Sequence, residues 1–135
     1  MKNYYTKMKL PEPLVPALQA LSLLKGQTAL VTGANSGIGR AIAVSLGRAG
    51  ANVVVNYVVK PEDAEAVVVE IQGGGGHAVA IRADVGDEAQ VVAMFAEAVK
   101  AFGTVDILVS NAGMERNAPF HEMTTAQWDA VMNVN

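Results

Sequence analysis

The sequence contains no cysteine, which excludes disulfides, thiolate zinc sites and cysteine nucleophiles. Positive charge is in the minority. With 10 Lys and Arg against 13 Asp and Glu, the net charge of −3 gives no electrostatic basis for binding nucleic acid or an anionic membrane surface. No apolar run approaches the roughly 20 residues needed to span a bilayer. Lys2, Lys7 and Lys9 ahead of the apolar stretch 14–24 give a faint secretory-leader pattern. Pro11, Pro13 and Pro16 interrupt it, Gln19 sits inside it, and no small-residue cleavage site precedes Lys25. Residues 1–25 are therefore read as a flexible or surface-packed extension, and the expected location is cytoplasmic. What is present is 51% hydrophobic and 17% charged, with 13 glycines in 135 residues, the composition of at most one α/β domain.

Along that domain, apolar strands alternate with helical patterns. Residues 28–32 read as a strand, and Ile38, Ala41, Ile42, Ser45 and Leu46 recur at helical spacing over 37–48. In the next strand, 52–57, the unbroken Val53-Val54-Val55 suits burial on both faces. Pro61, Glu62 and Asp63 suit the first turn of a second helix, whose buried stripe is Ala64, Val67, Val68 and Ile71. The run Gly73-Gly74-Gly75-Gly76 ends it, and residues 77–83 read as a third strand. Asp87 and Gln90 have capping-box spacing for a third helix that faces inward through Val91, Met94 or Phe95, Ala98 and Phe102. Residues 105–110 read as a fourth strand, an apolar sheet edge if left uncovered. Thr124 and Gln127 repeat the capping spacing before a helix through Trp128, Val131 and Met132, with Trp128 expected on its buried side. This alternation predicts an α/β fold, a Rossmann-type doubly wound parallel sheet truncated after the fourth strand and the start of the following helix.

The first strand runs into Thr32-Gly33-Ala34-Asn35-Ser36-Gly37-Ile38-Gly39 and then into a helix. A glycine turn in that context is a phosphate-binding device. The backbone can approach a pyrophosphate, and the helix offers free N–H groups and its positive dipole end. The glycine spacing departs from G-x-G-x-x-G, and no Lys-Ser or Lys-Thr follows as a P-loop requires. His77 and His121 lie too far apart, with no carboxylate at ligand spacing, to make a metal site. Glu62, Asp63, Glu65 and Glu70 read as a solvated helix face.

The pattern T-G-x-x-x-G-x-G resembles the cofactor loop of the short-chain dehydrogenases/reductases, and other marks of that family follow in order. Asp84-Val85 resembles its adenine-contacting acid, and Ser110-Asn111-Ala112-Gly113 its N-N-A-G motif with Ser110 in place of the first Asn. The segment 128–135 resembles the one ending in the family's catalytic asparagine, here Asn135. The resemblance covers residues 26–135, an incomplete dinucleotide-binding domain. It implies a cofactor site of Gly33, Asn35, Ser36, Gly37, Ile38, Gly39, Asn56, Tyr57, Asp84, Val85, Asn111, Ala112 and Gly113. Asn111 is in addition open to a structural role, tying the fourth strand to its neighbours. A small-molecule substrate and a homo-oligomer, in this family a tetramer, are also implied.

An acidic residue ending the second strand would bind the ribose 2′-hydroxyl of NAD and repel a 2′-phosphate. Asn56-Tyr57 stands there instead, which permits NADP; Lys60 is the nearest candidate cation. The cofactor is therefore expected to be NADP or NAD, with NADP or dual use favoured.

In the family a Tyr of a Y-x-x-x-K motif is the acid/base, a Ser orients the substrate oxygen, and the Asn holds a water of the proton relay. Only Asn135 matches; Tyr4, Tyr5 and Tyr57 do not begin Y-x-x-x-K. The chain alone is therefore expected to be inactive, as the N-terminal half of a longer enzyme. Residues 112–128 and 53–57 resemble the glucose 1-dehydrogenase branch, which implies oxidation of a sugar at C1. The 3-oxoacyl-carrier-protein reductases are the alternative; they carry a Thr-Arg pair after Asn-Ala-Gly, where this chain has Met114-Glu115. A non-catalytic nucleotide-binding fragment is a third reading. A methyltransferase is disfavoured, since its loop reads G-x-G-x-G.

Overall fold

The computed structural model describes residues 22–135, so most of the proline-interrupted extension, with Tyr4 and Tyr5, lies outside the described residues. Strands and helices alternate: β1 (Thr28–Val31), α1 (Gly37–Arg48), β2 (Asn52–Tyr57), α2 (Pro61–Gly73), β3 (His77–Arg82), α3 (Glu88–Phe102), β4 (Ile107–Val109) and α4 (Thr125–Val134). A short 3-10 turn, Phe120–Glu122, precedes α4. The four strands form one parallel sheet in the order β3-β2-β1-β4. From β1 the chain steps to β2 and β3 on one side, then returns to place β4 on the other. That reversal opens a crevice beside the carboxyl end of β1.

Strand periodicity divides the core into two layers. Ala29, Val31, Val53, Val55 and Ala78 face α1 and α2, meeting Ala43, Val44, Ala64, Val67, Val68 and Ile71. Leu30, Val54, Ile81 and Ala83 face the opposite way, onto Met94 and Ala98 of α3. The uninterrupted valines of β2 are thus covered on both faces. Met94, not Phe95, is the fully buried member of the α3 face.

The fully buried face of α1 is rotated from the predicted stripe, of which Ile42 and Leu46 still pack partly buried against the core. Gly39, Ala43, Val44 and Gly47 are buried, while Ile38 is 75% exposed and Ala41 and Ser45 are exposed. Close approach to the sheet and to α2 gives full burial to the face that carries the two glycines. A Cβ on Gly47 would stand 2.7 Å from Ile71 Cγ2, and one on Gly76 would stand 2.8 Å from the same atom. Ile71 therefore packs between two glycines, which accounts for one of the four at the end of α2. Gly75, with φ of +85°, accounts for a second as the left-handed turn after the helix.

The other helix termini follow the sequence more closely. Asp87 caps α3, accepting from the Gln90 amide, and the Gln90 side chain donates back to Asp87 Oδ2 at 2.9 Å. Those hydrogen bonds from Gln90 hold the Asp87 carboxyl below its usual pKa. Their contribution to stability is present above the ordinary carboxylate range and is lost as pH falls from there through the lowered folded value. Thr124 and Gln127 form a reciprocal capping box on α4. That helix buries no residue fully, and Trp128 is 52% exposed, which corrects its expected place on a buried face. β4 is a sheet edge, with Leu108 54% exposed. At the start of the described chain, Leu24 packs on the core and donates its amide to the Ala49 carbonyl.

One buried polar atom has no partner among the described residues: the hydroxyl of fully buried Thr28. Thr28→Val should therefore raise stability by about 1 kcal/mol in urea denaturation, by relieving an unpaid desolvation. A loss of stability would reveal a hidden partner for Oγ1.

Candidate functional site

Thr32 closes β1, and its hydroxyl joins the two chain ends that frame the crevice. It accepts the backbone N–H groups of Asn111 and Ala112, each at 2.9 Å, and donates to the Val109 carbonyl at 3.3 Å. Asn111 returns the contact through Nδ2, to the Thr32 carbonyl at 2.9 Å and the Gly33 carbonyl at 3.3 Å. The structural reading of Asn111 is thereby met: its amide ties the end of β4 to the glycine turn. Thr32 was not among the predicted site residues, although its place at the head of T-G-x-x-x-G-x-G marked it.

The turn leads into α1 with Ser36 at the N-cap in extended backbone, but the serine side chain caps nothing. Arg40 is the first amide of the helix to find an intrahelical acceptor, at Ser36. The donors ahead of it are left for a ligand, in the positive field of the helix. Gly39 faces the carbonyl of Gly33 and the amide of Asn111 so closely that a Cβ would collide with both. A cradle with backbone on one side and uncapped donors on the other fits a pyrophosphate.

A cavity of about 830 Å³ opens here. It is lined by Gly33, Asn35, Ser36, Gly37, Ile38 and Gly39 from the turn, and by Asp84, Val85, Asn111, Ala112 and Gly113 from the ends of β3 and β4. Eleven of the predicted residues thus converge on one crevice. Ile38 belongs to it because α1 turns that side chain outward. Val58, Val59, Met114, Arg116 and Val134 also line it and were missed, although all five sit within three residues of predicted positions.

Asp84 is half-buried and well ordered by its neighbours. Its Oδ1 accepts from the Gly86 amide at 2.9 Å, and its own amide donates to Gln90 Oε1 at 3.0 Å. Gln90 thus reaches past the N-cap backbone to hold the Asp84 turn, while Asp84 Oδ2 keeps no partner among the described residues.

Three predicted positions do not face the cavity. Asn56 is 1% exposed, and its side chain is spent on the protein. Oδ1 accepts the Gly33 amide at 3.2 Å, while Nδ2 donates to the carbonyls of Ile81 at 3.3 Å and Ala83 at 3.0 Å. The reading of Asn56 as a ribose-facing group is therefore corrected: it bolts the glycine turn to β3. Tyr57 is half-buried against the core. Asn135 lies behind the cavity wall, where Oδ1 accepts from the Met114 amide at 2.8 Å and Nδ2 donates to the Met114 carbonyl at 3.1 Å. Each side-chain atom is engaged once, which fixes the amide against Met114 and leaves a second lone pair on Oδ1 and a second N–H on Nδ2. Among the described residues no group of His, Asp and Glu could hold a metal, and no helix is long and apolar enough to cross a membrane.

The family profile described as short chain dehydrogenase matches residues 27–135. The chain belongs to the short-chain dehydrogenases. Among curated members, it is 44% identical over 126 residues to tetrahydroxynaphthalene reductase of Pyricularia oryzae, covering 93% of this chain and 44% of that one. It is 49% identical over 112 residues to versicolorin reductase 1 of Aspergillus parasiticus, covering 83% and 43%. Among solved structures, a dehydrogenase/reductase from Sinorhizobium meliloti aligns with a TM-score of 0.81 at 47% identity, covering 86% of this chain and 46% of that one. A short chain dehydrogenase from Burkholderia cenocepacia, in complex with NADP, aligns with a TM-score of 0.80 at 43% identity, covering 83% and 46%. This short-chain dehydrogenase chain spans less than half the length of the curated relatives it matches.

Proposed function

We propose that the chain holds NADP(H) in the crevice beside β1, and that the protein carrying it is a carbonyl reductase or alcohol dehydrogenase acting on a small molecule. The observation that carries this reading is the uncapped N-terminus of α1 behind the Gly33–Gly39 contact, opening into a cavity at the sheet's reversal point. Bound there, the cofactor would supply or accept hydride. The residues of this chain bind and orient. The first amides of α1 meet the pyrophosphate, the free oxygen of Asp84 accepts from the adenine amino group, and Ala112-Gly113 pass close to the ribose. Asn135 positions Met114 on the cavity wall through its paired hydrogen bonds. A homo-oligomer accompanies this reading.

Preference for NADP is supported by the absence of an acidic side chain on the Val58–Lys60 turn and by the NADP-bound relative. Fluorescence titration should show NADPH binding about tenfold more tightly than NADH, a difference near 1.4 kcal/mol. Tight NADH binding with none for NADPH would remove this preference.

For the substrate, curated relatives named as reductases of tetrahydroxynaphthalene and of versicolorin support reduction of a ketone on a fused-ring compound. Oxidation of glucose rests on the resemblance of residues 112–128 and 53–57 alone. Turnover by the full-length protein of glucose with NADP, of a fused-ring ketone with NADPH, and of an acetoacetyl thioester with NADPH decides among the three. Activity on the ring ketone above the other two is the expected result.

A further inference from the structure

We propose that Arg82 is a specificity determinant for the dinucleotide, acting on the 2′-phosphate from the far side of the Val58–Lys60 turn. The inference rests on the reading of the crevice as an NADP(H) site and adds a residue to it.

Position in the fold leads to Arg82. Because Asn56 points inward and is consumed by Gly33, Ile81 and Ala83, the end of β2 reads nothing outside itself. The task passes to the turn that follows, where Val58 and Val59 line the cavity. That turn is held by two side chains. Asn35 Nδ2 donates to the Val59 carbonyl at 3.1 Å, and Arg82 Nε donates to the Val58 carbonyl at 3.1 Å. Lys60, in left-handed backbone with φ of +58°, completes it.

Charge separates the two cations beside the turn. Lys60 lies 4.0 Å from Asp63, a carboxylate that offsets it. Arg82 has no carboxylate within ion-pair distance among the described residues. Its Nε is committed to Val58, so the planar guanidinium is anchored at one edge while its terminal nitrogens stay available to an anion. The pairing of Tyr57 with Arg82 in the β2–β3 register puts this uncompensated charge beside the end of β2, where the Val58–Lys60 turn begins. Arg82 is exposed and does not itself line the cavity, so it would act on a 2′-phosphate as a charge held behind Val58, a reach set by the Debye length of about 8–10 Å.

Titration of the protein with NADPH, NADH, 2′,5′-ADP and 5′-AMP tests this on wild type, Arg82→Gln and Arg82→Lys. Arg82→Gln should weaken NADPH and 2′,5′-ADP about five- to tenfold while changing NADH and 5′-AMP less than twofold, and Arg82→Lys should recover much of the loss. Equal weakening of all four ligands would assign Arg82 a purely structural hold on Val58 and overturn the proposal. So would an unchanged ratio of NADPH to NADH affinity. If wild type binds neither dinucleotide, the parent reading of the crevice falls, and this one with it; a wild-type preference for NADPH that survives Arg82→Gln removes this one alone.

Discussion

Asn56→Asp is expected to destabilise the protein by about 3–5 kcal/mol rather than to turn its cofactor preference toward NADH. From position alone the opposite follows, since an acid ending the second strand is how a dinucleotide site of this type selects the ribose hydroxyl. The side chain that occupies the position, however, is 1% exposed and donates through Nδ2 to two carbonyls, those of Ile81 and Ala83. An ionised carboxylate cannot donate, and it would face both oxygens without water. Burial and these acceptors push the new acid's folded pKa above its unfolded value of about 3.9. The penalty is therefore small below that value and grows as pH rises toward the folded pKa. Urea denaturation of the variant at pH 4 and at pH 8 measures both the size and the sign. A stable variant that binds NADH more tightly would show that Asn56 reads the ribose after all.

Gly39→Ala is expected to reduce NADPH affinity at least tenfold and to cost about 1–3 kcal/mol of stability by overpacking. Alanine is ordinarily the better helix former by about 1 kcal/mol, so the local preference favours the substitution. The added methyl would meet the Gly33 carbonyl and the Asn111 amide, and the first of these is backbone that cannot rotate away. Relief requires the glycine turn to move from β4, which opens the cradle and misaims the first amides of α1. Gly73→Ala is the control, because nothing lies within 4 Å of its Cβ position. Gly73→Ala should leave binding and stability near wild type, and parity between the two variants would refute the close-approach argument.

Much of the fold was legible because it is local. The valines of β2, the Pro61 start of α2 and the caps at Asp87 and Thr124 each depend on residues a few positions apart, and the structure bears them out. The inward face of α1 was legible only in part: Ile42 and Leu46 do pack against the core, but the sequence carries no record of how near the neighbouring backbone comes. Proximity to Ile71 and to Gly33 puts Gly47 and Gly39 at the fully buried positions, which leaves Ile38 to the cavity.

The candidate site divides along the same line. By itself the sequence determined that a strand enters a helix through closely spaced glycines, that Asp84 and Asn111-Ala112-Gly113 follow in family order, and that no acid ends β2. Motif order and side-chain chemistry need no third dimension. Only the tertiary structure decided that Thr32 and Asn111 join the two ends of the crevice, and that Asn135 spends its amide on Met114. It also decided that Asn56 faces inward, leaving Val58 and Val59 at the cavity with Arg82 bound behind them. These outcomes depend on contacts between residues 21 to 80 positions apart, set by strand order and register. A strand residue's chemical type is written in the sequence; which face it presents, and which backbone groups await it there, is settled only when the sheet assembles.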